Sequence, residues 1–337
     1  MSGPSRQERF EVGGPVDAVV EIDAGRVDVR LAPAAPGSTT GADGDPAPPI
    51  GVLGSVGTPQ VRVEVTADLE GAPGWVRGLA GLVDAAGGLE RRFGFDLSSI
   101  PGLGVRPGED PEERAARAVA AVEITLEDGR LTVHGPREVV LRAVPLHVTV
   151  HAPADGGVTV HAGAAPVDVT GRPGPVDIGT TGGVTVEEVA ARSSVRCGAG
   201  DVSLGRVAGV LRVKGGAGDV TLREVAAPVE VITGSGSVTA DRVGADLVVR
   251  CGSGDVTVRD ASAGNVDLTT GAGSVRVGVH AGVDASVDLR SAAGSASSDL
   301  PVTSSRPEGA AGTTAAPLRI RGRAAAGSAR VASAAPA

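Results

Sequence analysis

From Val184 to Val277 apolar and polar residues alternate in short runs, and a glycine-rich turn precedes each run. Alternation of this kind sends successive side chains to opposite faces of a strand. Val184, Val202, Val220, Val238, Val256 and Val275 each follow a turn and form one apolar column. A second column lies two residues on, at Val186, Leu204, Leu222, Ala240, Val258 and Val277. The second strand of each unit gives Leu211, Val229, Leu247 and Val266, followed by Val213, Val231, Val249 and Leu268. Between them stand Ser203, Thr221, Thr239 and Thr257, and Arg212, Glu230 and Asp267, which the pattern turns toward water. The turns have the form glycine, small residue, glycine, polar residue, and their leading glycines are Gly198, Gly216, Gly234, Gly252 and Gly271. Their spacings are 18, 18, 18 and 19 residues. A fixed period below the size of a domain marks a solenoid, in which each unit buries its apolar face on its neighbours. The predicted fold is all-β, a single-stranded β-solenoid of β-helix or roll type with coils of about 18 residues. The extra residue of the last spacing fits in the loop Ala261 to Asn265, where insertion leaves the inward register intact.

The flanking segments are less regular. Residues 1–9 read as a tail, and 10–68 as N-terminal strands interrupted by a flexible Pro/Gly/Asp-rich loop at 32–60. Within them Val19 to Ile22 and Val27 to Leu31 predict two strands joined by the turn Asp23-Ala24-Gly25-Arg26, and Val61 to Val65 a third. Residues 69–118 break the β pattern and predict a short helical insert. Trp75, Leu79, Leu82, Val83, Ala86 and Phe93 recur near helical spacing, and Pro111 to Ala121 forms a second helix with Asp110 as N-cap. The solenoid domain is expected over 119–331, opening with the hairpin turn Glu127-Asp128-Gly129-Arg130 and a strand over Val139 to Val150. Beyond Val277 the coils turn irregular, with a loop at 298–317 and a last coil from Leu318 to Val331; 332–337 is a tail.

Composition narrows the function. The 337 residues carry a net charge of −9, one Trp, three Phe and no Tyr, which argues against a nucleic-acid partner. Such binders need a basic surface and aromatic stacking platforms. Met1 to Phe10 has no apolar signal core and no later run reaches the length of a membrane span, so the expected location is cytoplasmic. Cys197 and Cys251 each precede a turn glycine and lie three coils apart in one column. At ~4.8 Å per level their Cα atoms stand ~14 Å apart, too far for a disulfide, so two free thiols are expected.

Candidate chemistry is sparse. The glycine turns lead into strands and not into helix N-termini, so they serve backbone turning and not phosphate binding. Asp201, Asp219 and Asp255 share a column and are weak calcium candidates, weighed against side chains that bond neighbouring turn amides. Ser237 and Ser274 interrupt that row. A polysaccharide-acting enzyme needs two carboxylates roughly 5–10 Å apart, which alternate-level aspartates meet only by accident. The histidines His134, His147, His151, His161 and His280 are scattered and read as surface residues, with no zinc-ligand spacing. No metal or cofactor is expected, and no catalytic residue. The insert, as a cap over a sheet edge, is set against docking to a partner protein or a membrane surface through Trp75, Leu79, Phe93 and Phe95.

The string Val-Arg-Cys-Gly-Ala-Gly-Asp-Val-Ser-Leu at 195–204, echoed at Leu211 to Leu222 and Leu247 to Val258, resembles the bacterial adhesin-like family of β-strand-repeat domains, domain of unknown function 4097. The resemblance covers about 120 to 335. It implies a non-catalytic, adhesin-like binding or scaffold module, linked to cell-envelope homeostasis, with a protein or glycan partner of unknown identity. It supplies no catalytic residues to carry over.

Overall fold

The computed structural model describes residues 3–32, 59–68, 109–300 and 318–334. The loop expected at 32–60 falls outside them from residue 33 to 58, as do the helix expected from Trp75 to Phe93 and the docking residues Trp75, Leu79, Phe93 and Phe95.

The regular part is a two-sheet stack. Strands β11 (Ser193–Cys197), β13 (Leu211–Ala217), β15 (Val229–Ser235), β17 (Leu247–Ser253) and β19 (Asn265–Ala272) pair in parallel as sheet B. Strands β10 (Val184–Val189), β12 (Val202–Val207), β14 (Val220–Val225), β16 (Val238–Val243), β18 (Val256–Ala261) and β20 (Val275–Val279) pair in parallel as sheet A. One strand from each sheet makes a level. Val202 lies against Val220, Val220 against Val238 and Val238 against Val256, so like columns stack on like. The one-residue insertion enters in the expected loop, between Ala261, which pairs with Val243, and Val266, which pairs with Leu247. A bulge between Val258 and Ala261 then shifts the register of β18 against β20 back by one. A third buried column, Val189, Val207, Val225, Val243, Ala261 and Val279, lies at the end of the sheet A strands. Cys197 continues through Gly215 and Thr233 to Cys251, three levels away, and both thiols are free and buried.

Stacking order departs from chain order at both ends. Strand β2 (Asp17–Ala32) runs through both expected strands as one 16-residue strand, and the expected turn at Asp23 to Arg26 is the corner where it passes from one sheet to the other. Its first half enters sheet B between β5 (Arg130–His134) and β7 (Val158–Ala164). Its second half enters sheet A between β6 (Leu146–Pro153) and β8 (Val167–Gly171). The corner is Gly25, with φ +126; a Cβ there would stand 1.9 Å from the Leu146 carbonyl oxygen. Below β7, β9 (Val176–Thr180) leads sheet B into β11. At the other end β23 (Leu318–Ala326) inserts between β19 and β21 (Ala285–Ala293). In the same way β24 (Ala329–Ser333) inserts between β20 and β22 (Ala296–Ser298). The last segment of the chain is therefore the penultimate level, and β24 runs two residues past the expected boundary at 331.

Three further expectations change. Residues 5–9 are not a tail: β1 (Ser5–Glu11) pairs antiparallel with β3 (Gln60–Ala67), which pairs antiparallel with β6. Its charged alternation hid it, because an edge strand buries little on either face. Residues Val139–Arg142 form a short helix, α2, and not a strand. Helix α1 (Pro111–Ala120) has Asp110 at its N-cap, but the Asp110 side chain makes no capping bond; its carbonyl accepts the Arg114 amide at 3.0 Å. Ala115, Ala118 and Val119 of α1 are buried, and the helix packs against β1 and β3 at the N-terminal end of the stack. The antiparallel hairpin of β4 (Glu123–Glu127) and β5 turns at Asp128 and Gly129, both with positive φ. No helix among the described residues is long and apolar enough to cross a membrane.

Candidate functional site

In the regular levels several outward charges pair with one another, while Arg206, Lys214 and Arg223 make no ion pair among the described residues. Glu224 meets Arg242 at 3.6 Å, Asp241 meets Arg259 at 2.9 Å, and Glu230 meets both Arg212 and Arg250 at 3.3 and 3.4 Å. Each pair joins neighbouring levels, the sheet equivalent of opposite charges placed across a strand pair. The three aspartates proposed for calcium sit on the turns as a ladder. Asp201 Oδ1 accepts the Asp219 amide at 2.9 Å, Asp219 Oδ1 the Ser237 amide at 2.7 Å, and Asp255 Oδ1 the Ser274 amide at 2.8 Å. The Ser274 amide and the Arg276 guanidinium hold the Asp255 carboxyl below the usual aspartate range. Asp219 and Asp255 are two levels apart, with Ser237 between them. Among the described residues no group of three or more His, Cys, Asp or Glu gathers as a metal site.

The inner side of the same corner is polar too. Thr180 donates to the Ala165 carbonyl at 2.6 Å, and Thr270 to that of Gly254 at 2.8 Å. The Cys197 thiol lies 3.0 Å from the carbonyl oxygens of Gly182 and Gly200. Corner carbonyls that point inward find no strand partner, and a small donor at this column satisfies them. Burial pushes both thiols up from the ordinary cysteine value, which disfavours the thiolate form.

The levels into which β2 is threaded are different. Four of the five histidines lie there, His134 and His161 on sheet B and His147 and His151 on sheet A. Buried Asp28 lies 2.7 Å from His147 Nε2 and accepts from Arg26 Nε at 3.0 Å, while Arg26 reaches on to Asp168 at 2.6 Å. Burial alone raises the Asp28 carboxyl; the bonds from His147 and Arg26 outweigh it and bring it below the usual range.

On the outer face of sheet B, register places Glu21 of β2 directly between His134 of β5 and His161 of β7. Here an open cleft of about 670 Å³ is walled by Glu21, Asp23, His134, Arg137, Arg142 and His161. Gly135, Gly163 and Gly179 also line it. A Cβ on Gly163 would stand 2.2 Å from the Asp23 carbonyl oxygen, so that part of the floor stays bare by necessity. Arg142 of α2 grips Asp23 with two parallel bonds of 2.7 and 2.8 Å. His134 Nδ1 lies 3.0 Å from Glu21 Oε2, and Arg137 reaches Glu123 at 2.8 Å. Both carboxylates of the cleft are thus held by nitrogen partners, while His161 makes no hydrogen bond or ion pair among the described residues. The cleft presents donors and acceptors to a polar ligand. The sequence reading missed Glu21, Asp23, Arg137 and Arg142, which come from two distant segments; the one available signal was four histidines within 134–161.

Fold and site together define a two-sheet parallel β-solenoid with a polar cleft beside its threaded strand. The profile of the Toastrack DUF4097 family matches residues 118–322, and the chain belongs to that family. Among solved structures it is similar to an adhesin-like protein from Bacteroides fragilis, with 10% identity and a TM-score of 0.41, covering 98% of each chain. An adhesin-like protein from Parabacteroides merdae is similar over 98% of this chain and 96% of its own, with 11% identity and a TM-score of 0.34. No curated protein matches the chain.

Proposed function

We propose that the protein is a non-catalytic binding module, in which the regular levels act as a rigid strut and the cleft beside β2 takes a polar ligand. One observation carries this reading. The cleft gathers Glu21, Asp23, His134, Arg137 and Arg142 around a bare glycine floor and leaves His161 without a hydrogen bond or ion pair among the described residues. A glycosidase needs one carboxylic acid free to protonate the leaving group. Glu21 and Asp23 are instead bound to His134 and Arg142. The family membership is compatible with an adhesin-like role and assigns no chemistry.

The test is a panel of neutral and acidic oligosaccharides followed by NMR and by product analysis. Binding that perturbs His161 and weakens in His161→Ala and Arg142→Ala, with no product formed, supports the module. Product formation that disappears in Glu21→Gln makes the protein an enzyme, and a panel with no binder removes glycans as the cleft's ligand.

A further inference from the structure

The opposite face of the stack carries an arrangement that the cleft does not use. Register aligns Arg9 of β1 with Arg62 of β3, Arg62 with His151 of β6, and His151 with Arg30 of β2. Four consecutive strands of sheet A thus present basic side chains at one position, in a row ~14 Å long at ~4.8 Å per strand. The next strand continues the row with the exposed Thr170. Arg9, Arg30 and Arg62 are exposed, and none of them makes an ion pair among the described residues. Arg206, Lys214 and Arg223 of the regular levels are unpaired as well. Across the strands, however, Arg206 faces Glu188 and Glu224, Lys214 faces Arg196 and Ile232, and Arg223 faces Asp241. Arg212, Arg242, Arg250 and Arg259 each have a carboxylate on a neighbouring level, so what distinguishes the row is basic residues aligned on four adjacent strands.

Like charges placed directly across strands destabilise a sheet. His151 registers the crowding: burial, then Arg30 and Arg62, push it below the ordinary histidine value, with Glu64 opposing weakly. Nothing in the packing requires this row, because all four positions face outward while Val63, Val150 and Val29 fill the core between the sheets. A cost without a structural return points to a ligand.

We infer that Arg9, Arg62, His151 and Arg30 form a strip that binds a linear acidic polysaccharide, laid along the stack with its anionic groups toward the three arginines. The shape of the charge selects that class. The strip is one side chain wide, bordered by Glu11 on one side and by Gln7, Glu64 and Asp28 on the other. A membrane surface or a nucleic-acid duplex would bring its charge down on those acids as well. A thin chain with one charged edge would not. No aromatic side chain stands in the row to stack a base. The strand spacing is close to the length of one sugar unit, so carboxylates along the chain come within reach of Arg9, Arg62 and Arg30, with His151 between them as a hydrogen-bonding group. This strip lies on sheet A, away from the sheet B cleft, and stands or falls independently of it.

The experiment uses the full chain with oligomeric polygalacturonate, its fully methyl-esterified counterpart, and vesicles containing phosphatidylserine. Polygalacturonate is expected to bind in a salt-sensitive way, and the ester not to bind. The combined Arg9→Gln, Arg30→Gln and Arg62→Gln variant should weaken binding about tenfold or more, from three exposed charge contacts. Removing the same charge from β23, as Arg319→Gln, Arg321→Gln and Arg323→Gln together, should change affinity less than about twofold. Circular dichroism confirms that both variants fold. Equal loss in the two variants, equal binding of the ester, tighter binding to vesicles, or no binding at low ionic strength would each overturn the strip.

Discussion

Levels β12 to β18 and the levels around β2 share one backbone design and use it in opposite ways. In the first, Glu224, Glu230 and Asp241 meet arginines one level along, and each turn aspartate meets an amide. In the second, an N-terminal strand is slipped between levels made more than a hundred residues later, and like charges line up in its neighbourhood. Repetition lets a short sequence rule satisfy every level. A level borrowed from elsewhere in the chain escapes that rule, and Arg30 and His161 are left without an ion pair or hydrogen bond among the described residues.

The largest effect should come from the corners. Gly25→Val and Gly254→Val each force a side chain onto a carbonyl oxygen, 1.9 and 2.2 Å from where Cβ would sit, at positive φ. Each is expected to cost about 3 kcal/mol or more. Hydrogen exchange separates them: Gly25→Val should deprotect β5 to β8 and leave β14 to β18 protected, and uniform loss in both variants would erase the contrast between the regions. Next in size, Leu222→Ala in the central core should cost about 2–5 kcal/mol by urea titration.

Asp28→Asn removes the charge and one of the two acceptor oxygens that serve His147 and Arg26, and should cost about 1–3 kcal/mol. The pH dependence has a definite sign. Asp28 and Asp255 have depressed folded values, so their stabilisation is present above the ordinary aspartate range and lost as pH falls through it. His151 is depressed too, and its contribution fades in the histidine range, at higher pH than either aspartate. On acidification β6 and its neighbours should therefore lose protection before the central levels do, and His151→Gln should abolish that early step. The smallest effect is Asp219→Ala, about 0.5–1.5 kcal/mol for one lost ladder bond. Millimolar calcium should leave the wild-type Tm unchanged; a rise that vanishes in Asp219→Ala would turn the ladder into a metal site.

Much of the solenoid was legible because periodicity is a property of the chain itself. The Val202, Val220 and Val238 column, the inward register and the separation of Cys197 from Cys251 all follow from an 18-residue repeat. Neighbour relations outside the repeat were not legible. Nothing in Val19 to Leu31 states that it lies between β6 and β8, since alternation says which face is buried and not what covers the edges. Strand β1 was hidden for the same reason, its sequence Ser-Arg-Gln-Glu-Arg-Phe-Glu carrying one apolar residue. The cleft and the basic row depend on these pairings, so Glu21 beside His134 and Arg30 beside His151 emerge only once the threading is known.

The threaded strand also bears on how the chain is made. Residues 17–32 are synthesised before their partners on both sides, β5 with β6 and β7 with β8. The nascent segment must wait while its slot is built around it, a closure of high sequence separation and hence slow. Central levels, whose partners are 18 residues away, can zip as they emerge. Refolding followed by pulse-labelled exchange should then show β14 to β18 protected early and β2 last; simultaneous protection would show that the slot and its occupant form together.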